Sequence, residues 1–412
     1  MPIPERGRPW PEIAAEMEAA RARDLDWRHG RHGAYVWYAS DELEHVLREA
    51  FGMFLVENGL GIRVFPSLAR MEADVLESVA VLLGGGPQTP GIFTSGGTES
   101  IFLAVYAMRE WARASRPGLE RPAIVAPHSA HPALNKAAHY LGLDVRRVPV
   151  GPDYRADPAA IAAAVDSRTI GLYASAPAYS LGVIDPIADL ARLAADRGLW
   201  LHVDACVGGI LGPFVRELGY PVPPFAFDCD GVTSVSADLH KSGFAAKPAS
   251  ALLFRSEAHR DYARYTFDDW PSGTYSGLTF TGTRPGGAIA AAWAAFQFLG
   301  REGYRGLAAA SMRARAAIET GLRERIPGVR IHGEPPLYAF AWAAEGVSMG
   351  RVAAAMAREG WVAGRTTSPD GIHVMATPVH ERYAADYAEA AARAVEAARS
   401  GDSTGTARAA YN

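Results

Sequence analysis

The stretch PIADLARLAADRGLWLHVDAC, residues 186–206, joins an amphipathic helical pattern to a β-rich apolar run. The helical pattern ends at Gly198, because glycine readily takes the left-handed conformation that terminates a helix. The following run, WLHVDAC at 200–206, has the length and the composition of a buried strand. This helix-to-strand unit predicts an α/β fold.

Similar β-rich runs occur on both sides of this unit. They are AIVAP (123–127), VRRVPV (145–150), IGLYASAP (170–177), VTSVSAD (232–238) and SALLF (250–254). Ala-rich helical patterns lie between several of them. Because strands that alternate with helices usually form parallel sheets, we predict a large, mainly parallel sheet covered by helices on both faces.

The pattern changes after about residue 290, where a long Ala-rich helix begins. It leads into the strands VRIHG, LYAFAWA and GIHVMA, with the helix GRVAAAMAREG between the second and the third. This order predicts a smaller α+β domain. The expected organisation is an N-terminal arm (1–55), a large domain (56–290), a small C-terminal domain (291–400) and a loose tail (401–412).

The composition restricts the class of protein. The 412 residues carry a net charge of −4, with 49% hydrophobic and 21% charged residues, which indicates a soluble protein and gives no basic excess for nucleic acid. Cys206 and Cys229 form no CxxC pair, so a disulfide framework or thiolate metal site is not expected. No apolar run is long enough to span a bilayer, and the first residues do not resemble a signal peptide. We therefore expect a cytoplasmic protein without an integral membrane segment.

A glycine turn precedes a helical pattern in TSGGTESIFLAV, residues 94–105. The free N–H groups at a helix N-terminus favour a phosphate, and glycine lets the backbone approach it closely. Gly97 and Thr98 are therefore candidate phosphate ligands. A tight loop before a core helix is the alternative.

Asp204 stands at the end of the buried strand pattern WLHVDAC. A buried carboxylate is costly unless it meets a positive partner, and ligands of α/β sheets bind at these strand ends. A pyridinium nitrogen is one such partner. A capping aspartate at a strand-to-loop turn is an equally good interpretation of this residue alone.

Two lysines follow the next predicted strand, in SADLHKSGFAAKP at 236–248. Lys241, beside His240, could form a Schiff base with an aldehyde cofactor if its pKa is lowered by burial or by a neighbouring cation. Lys247 could supply that cation or hold an anionic group of a substrate. Solvated surface charge is the alternative for both lysines.

His128 and His131 lie in PHSAHPALNKAAHYLG, residues 127–142. The chain offers no further ligand cluster nearby, so we expect no metal site here. An imidazole that stacks on a planar cofactor ring is the better functional interpretation of His131, and a polar helix N-terminus is the alternative. Along one α/β chain there follow a glycine turn for phosphate (called the phosphate cup, Gly97 and Thr98), a stacking histidine, an aspartate and a lysine. This order indicates a pyridoxal phosphate enzyme, with Lys241 as the covalent residue.

Over nearly its whole length the chain resembles the sphingosine phosphate lyase branch of the pyridoxal phosphate-dependent group II decarboxylase family. The resemblance rests on FPSLARMEADV (65–75), TSGGTESI (94–101), SAHPALNKAAHYLG (129–142), GVIDPI (182–187), LHVDACVGG (201–209), GVTSVSADLHKSGFAAK (231–247) and GTYSGLTFTGTRPGG (273–287). It implies an aspartate aminotransferase-type fold.

The resemblance also implies roles for individual residues. Lys241 matches the Schiff-base lysine, and Asp204 matches the partner of the pyridine nitrogen. His131 matches the residue that stacks on the ring, and His240 the residue beside the imine. The phosphate ligands match Gly97 and Thr98.

Other matched positions concern the substrate and the assembly. Lys247 matches a second lysine near the phosphate groups, and Tyr179 lies on a substrate-side segment. Gly282 and Thr283 match a stretch that reaches the cofactor of a partner, so a homodimer with shared active sites is expected. The family's cleavage breaks a Cα–Cβ bond of a phosphorylated amino alcohol and yields an aldehyde and phosphoethanolamine.

The chain departs from the family pattern at substrate-side positions. Ser242 stands where the lyases have tyrosine, and Gly61 stands where they have a histidine. Arg63 or Arg365 could replace that histidine, because guanidinium binds phosphate or carboxylate through two parallel hydrogen bonds. An amino-acid decarboxylase, with Arg365 on the substrate carboxylate, is therefore the alternative to the carbon–carbon lyase. A catalytically silent cofactor-binding protein is the third hypothesis, and Lys241 argues against it.

Overall fold

The computed structural model describes residues 2–61, 63–401 and 407, and a seven-stranded sheet forms the centre of its larger part. The strands are β1 (Gly91–Thr94), β2 (Ala123–Pro127), β3 (Asp144–Val148), β4 (Thr169–Ser175), β5 (Trp200–Asp204), β6 (Ser234–Ala237) and β7 (Ser250–Phe254). Their order is β1-β7-β6-β5-β4-β2-β3. Strand β7 runs antiparallel to both of its neighbours and the other pairs are parallel, which confirms the mainly parallel sheet.

Helices connect the strands and cover the sheet. They are α4 (Gly97–Ser115), α5 (Ala133–Leu141), α6 (Pro158–Ala164), α7 (Ile187–Arg197), α8 (Leu211–Glu217) and α9 (Glu257–Asp261). Helix α7 buries Ile187, Leu190, Ala191 and Ala194, the spacing of one helical face. It ends at Gly198 with φ of 57°, in agreement with the expected glycine stop.

The second sheet has four antiparallel strands in the order β10-β11-β13-β12. The elements of this region are α10 (Gly286–Arg325), β10 (Val329–Ile331), β11 (Ala339–Ala344), α11 (Met349–Arg358), β12 (Gly364–Thr367), β13 (Asp370–Met375) and α12 (His380–Ser400). Helix α10 begins before the expected change near residue 290, and it kinks at Gly300, whose φ is 55°. The smaller α+β part therefore follows a long helix that belongs to both regions.

The N-terminal region contains α1 (Trp10–Arg21), α2 (Asp41–Met53) and α3 (Pro66–Leu82). Ser40 caps α2, because its hydroxyl accepts a hydrogen bond from the Leu43 N–H at 3.2 Å. The segment between α1 and α2 is tied to the second sheet, since Met375 N–H donates to the Gly33 carbonyl at 2.8 Å. Most of the expected loose tail lies outside the described residues.

A short hairpin, β8 (Tyr265–Phe267) and β9 (Tyr275–Gly277), projects from the larger part. Several of its aromatic side chains are exposed. In the ranges that the structure describes, no helix combines the length and the apolar composition that crossing a membrane requires.

Three parallel strands, β4, β5 and β6, end at one edge of the first sheet, where the candidate site lies. Register places Ser175 of β4 beside Asp204 of β5, and Asp204 beside Ser236 of β6. The predicted strands 170–177 and 200–206 stop two residues early, because the chain turns away from the sheet after Ser175 and Asp204. Loops at the carboxyl ends of parallel strands are where α/β sheets bind ligands.

Candidate active site

A cavity of ≈ 290 Å³ lies at this edge of the sheet, and most of the predicted cofactor residues line it. The structure thus brings together side chains that are far apart in the sequence. The predicted residues in the cavity wall are Gly97, Thr98, His131, Tyr179, Asp204, His240 and Lys241.

The N-terminus of α4 closes one end of the cavity and has no room for larger side chains. A Cβ at Gly97 would lie 2.7 Å from Cys206 Sγ, and one at Gly96 would lie 3.2 Å from the His240 ring. The first N–H groups of a helix have no partner within it, and the 19 residues of α4 give these groups a full helix dipole. Thr98 is exposed at this end. The cup therefore suits a phosphate group.

Asp204 lies on the sheet side of the cavity, held in one orientation. Its Oδ2 accepts a hydrogen bond from the Tyr173 hydroxyl at 2.6 Å, and its Oδ1 accepts one from the Cys206 N–H at 3.0 Å. Burial works to raise the pKa of Asp204, but His131 and these hydrogen bonds outweigh it and hold the pKa below its usual value. The carboxylate is therefore ionised and can pair with a protonated pyridine nitrogen.

Lys241 forms an ion pair with Asp238, a residue that the sequence reasoning missed. The distance from Lys241 Nζ to Asp238 Oδ2 is 2.7 Å, and the Asp238 side chain is 1% exposed. Burial acts to lower the pKa of Lys241, but Asp238 and other nearby negative groups raise it above its usual value. An aspartate at the end of a predicted strand resembles an ordinary turn residue, and only its position three residues before Lys241 signals the pair.

The two histidines of the cavity are neutral at physiological pH. Burial lowers the pKa of His131 and of His240, against the raising effect of nearby carboxylates. His131 Nδ1 accepts the Ala133 N–H at 3.2 Å and His240 Nδ1 accepts the Ala249 N–H at 3.0 Å. Each neutral ring therefore carries its proton on Nε2.

Five predicted residues lie outside the cavity wall, and one of them, Arg365, lines a neighbouring cavity. Arg63, Gly282 and Thr283 are exposed. Lys247 is also exposed, yet the protein atoms around it and the Lys241 ammonium lower its pKa, which places it close to the site. The structure's described ranges contain no group of three or more His, Cys, Asp or Glu side chains arranged for a metal ion.

A second cavity of ≈ 660 Å³ adjoins the first, and Tyr179 and His131 line both. The Tyr179 ring lies 4.6 Å from the His373 ring, whose pKa burial lowers to about 4. Arg365 also lines this cavity, but its guanidinium pairs with Asp370 and donates to the Ala407 carbonyl at 2.7 Å. A substrate carboxylate would have to compete with Asp370 for the Arg365 guanidinium.

The α4 N-terminus, an ionised aspartate and a partly buried lysine share one cavity, an arrangement that suits pyridoxal phosphate. The chain belongs to the pyridoxal-dependent decarboxylase family, since residues 2–337 match the model of the pyridoxal-dependent decarboxylase conserved domain. It is accordingly a pyridoxal phosphate-dependent lyase by family.

Relatives within this family are similar along most of the chain. The sphingosine-1-phosphate lyase of Oryza sativa subsp. japonica is 38% identical over 377 residues, which cover 90% of this chain and 69% of the relative. The structure of the sphingosine-1-phosphate lyase of Burkholderia pseudomallei K96243 superposes with a TM-score of 0.92 at 37% identity, over 98% of this chain and 94% of that one. A probable L-aspartate decarboxylase of Pyrococcus furiosus is 33% identical, over 88% of this chain and 94% of its own length.

Proposed function

We propose that this enzyme cleaves a phosphorylated amino alcohol of the sphingosine-1-phosphate type into an aldehyde and phosphoethanolamine. The observation that carries the proposal is the placement of Lys241 and Asp204 in one cavity that ends at the N-terminus of α4. The similarity to sphingosine-1-phosphate lyases along nine tenths of the chain supports the substrate class.

The residues present fit pyridoxal phosphate. The α4 N-terminus with Gly97 and Thr98 would hold the phosphate, Asp204 would pair with the pyridine nitrogen, and His131 would lie on the ring. Lys241 would form the covalent bond. When bound, pyridoxal phosphate supplies a ring that accepts the electron pair released by the breaking Cα–Cβ bond.

The proton transfers fall to side chains of the chain itself. A base takes the proton of the β-hydroxyl as the carbonyl of the aldehyde forms, and an acid returns one proton to Cα. His240 Nε2, the Lys241 amine and the Tyr179 hydroxyl line the same cavity and are the candidates for these two roles. Lys247, near the mouth, would attract the anionic head group.

Assembly and location are part of the proposal. A homodimer would let Gly282 and Thr283 reach the cofactor of the partner, and the exposed aromatic side chains Tyr265, Trp270 and Phe280 support a covered surface here. Both cysteines are free and buried, which suits a reducing cytoplasm. Mixing a Lys241→Ala chain with a Thr283→Ala chain tests the sharing of sites: activity recovered in the mixture supports it, and activity equal to the sum of the separate chains contradicts it.

The lyase reaction is tested with purified, cofactor-loaded protein and sphingosine phosphate. Release of the long-chain aldehyde, followed by mass spectrometry, is the expected result. The alternative is an amino-acid decarboxylase, favoured by the Pyrococcus furiosus relative, and carbon dioxide release from aspartate without any aldehyde would establish it.

The covalent residue is tested with borohydride, which fixes a lysine-bound cofactor to the chain. The chain has only three lysines, Lys136, Lys241 and Lys247, so the attachment site is unambiguous. Lys241→Ala should abolish the attachment, whereas Lys136→Ala, a change on the exposed side of α5, should leave it intact. Attachment to Lys247 in the wild-type protein would contradict the assignment.

A further inference from the structure

Asp238 is buried beside Lys241 and has no other strong partner. Apart from the contact with Lys241, its carboxylate oxygens have no hydrogen-bond partner within the described ranges; Lys241 Nζ lies 2.7 Å from Oδ2 and His240 Nε2 lies 3.8 Å from it. A buried carboxylate is strongly destabilising unless a positive charge compensates it. The contact with the lysine ammonium is therefore the interaction that lets this carboxylate stay buried.

The position of Asp238 is fixed by the fold. It directly follows β6, which ends at Ala237, and its Oδ2 would lie 3.0 Å from a Cβ at Gly97. The carboxylate thus stands between the lysine and the phosphate cup. A carboxylate next to a phosphate site is unfavourable for anion binding, so its presence there calls for another role.

We propose that Asp238 is a positioning residue that holds the Lys241 amine in the cavity, as an ammonium, whenever the amine is not covalently engaged. The inference rests on the proposed role of Lys241 but not on the identity of the substrate. In the cofactor-free protein the pair keeps the lysine protonated and aimed into the cavity. With the cofactor bound, Asp238 would remain the carboxylate nearest this amine and would hold it as an ammonium whenever the covalent bond to Lys241 is absent.

Other charged and titratable groups also face Lys241, and some of them favour its ammonium form whereas others disfavour it. Asp204 favours the ammonium, as Asp238 does, and the Cys206 thiol would do so only if it lost its proton, which burial opposes by raising its pKa. Lys247 disfavours it, since the two ammonium groups lower one another's protonation. His131, His240 and the Tyr338 hydroxyl are neutral neighbours. Asp238 is the carboxylate in direct contact with Lys241. Removal of its charge should therefore lower the pKa of the Lys241 amine more than removal of any other charge.

The test measures how fast each lysine of the cofactor-free protein reacts with a reagent that modifies only neutral amines, such as trinitrobenzenesulfonate. Peptide mass spectrometry separates the three lysines, and exposed Lys136 serves as the internal reference. In the wild-type protein, Lys241 should become reactive only at a pH well above that of Lys136. In Asp238→Asn, reactivity at Lys241 should rise about tenfold or more at about pH 9, because each pKa unit is a tenfold change in the neutral fraction. Asp230→Asn, a fully exposed aspartate, is the matched control and should leave the profile unchanged.

Two results would overturn the proposal. One is a wild-type Lys241 that follows the pH profile of Lys136, a measurement that needs no variant and so holds even if Asp238→Asn fails to fold. The other is a folded Asp238→Asn protein whose Lys241 profile matches the wild type. Neither result depends on cofactor or substrate. A failure of the lyase reaction, or attachment of the cofactor to Lys247, would instead refute the proposed function.

Discussion

Tyr173 of β4 donates a 2.6 Å hydrogen bond to Asp204 of β5, across two adjacent parallel strands. Both side chains are buried, and the bond fixes the carboxylate that faces the cavity. The orientation of Asp204 therefore depends on a residue that does not itself line the cofactor cavity.

Tyr173→Phe removes this bond and keeps the aromatic ring. Because a buried acceptor loses its donor, the free energy of unfolding of the cofactor-free protein should fall by about 1–3 kcal/mol. The affinity for pyridoxal phosphate should also fall severalfold, since Asp204 is then less firmly held toward the pyridine nitrogen. Urea unfolding and a spectroscopic titration with the cofactor measure the two effects. Tyr140→Phe, at a tyrosine that is 65% exposed, is the control and should change neither.

Lys247→Gln should raise KM for the phosphorylated substrate by about tenfold, which corresponds to about 1.4 kcal/mol of binding. The reason is the loss of a cation near the cavity mouth, where the head group would enter. Cofactor binding should be retained, because the phosphate cup lies at α4. Steady-state kinetics with sphingosine phosphate and with an unphosphorylated analogue separate the head-group effect from a general one. Equal loss with both compounds would contradict a head-group role, and Lys136→Gln is the matched control.

Much of the fold follows from local patterns. The face of α7 and its stop at Gly198 follow from spacing and glycine chemistry, and they predict the neighbouring strand β5 as well. Strand β1 escaped prediction because its four residues, GIFT, are too few to show a period and begin with glycine. Strand β12 was missed for the same reason: it also has four residues and begins at Gly364.

Single residues of the site could be predicted from sequence motifs, but the contacts between their side chains could not. Lys241 and Asp204 carry motif signals, whereas the contact between Asp238 and Lys241 depends on how the chain folds back after β6. Arg365, in contrast, was a candidate that the structure engages with another partner. Its charge made it a candidate carboxylate ligand, but pairing of β12 with β13 places it against Asp370, and sequence patterns alone do not reveal such cross-strand partners.

His32 should make the stability of the protein depend on pH. It is 2% exposed, neither ring nitrogen has a hydrogen-bond partner within the described ranges, and burial lowers its pKa to about 3. The unfolded chain binds a proton at about pH 6.5 and the folded chain does not, so stability is lost as the pH falls from about 6.5 toward 3, by up to about 1.4 kcal/mol per pH unit.

His32→Phe should reduce this acid sensitivity, because phenylalanine binds no proton in either state. At neutral pH the variant should be as stable as the wild type or more so, since two unsatisfied ring nitrogens disappear. Buried His202 and His373 act in the same direction and Asp185, with its raised pKa, acts against them, but all three remain in both proteins. Urea unfolding at neutral and mildly acidic pH measures the difference, with His45→Phe at an exposed histidine as the control. Parallel curves for variant and wild type would show that His32 is protonated in the folded state.

Glu99 joins the phosphate cup to the segment that carries Gly282 and Thr283. Its carboxylate accepts the Ser95 N–H at 2.7 Å and the Phe280 N–H at 3.2 Å, and the side chain is 8% exposed. Glu99→Gln replaces one acceptor oxygen by an NH₂ group, so one of the two bonds must be lost, at a cost of about 1–3 kcal/mol for a bond to a charged group. Amide hydrogen exchange should then become faster in residues 278–283, and cofactor affinity should fall.

Glu110→Gln, on the same helix but in a surface ion pair, should change neither property. Unchanged exchange in residues 278–283 of Glu99→Gln would mean that the segment is held by its aromatic contacts, such as Phe102 with Phe280, and that the cup and the segment are independent.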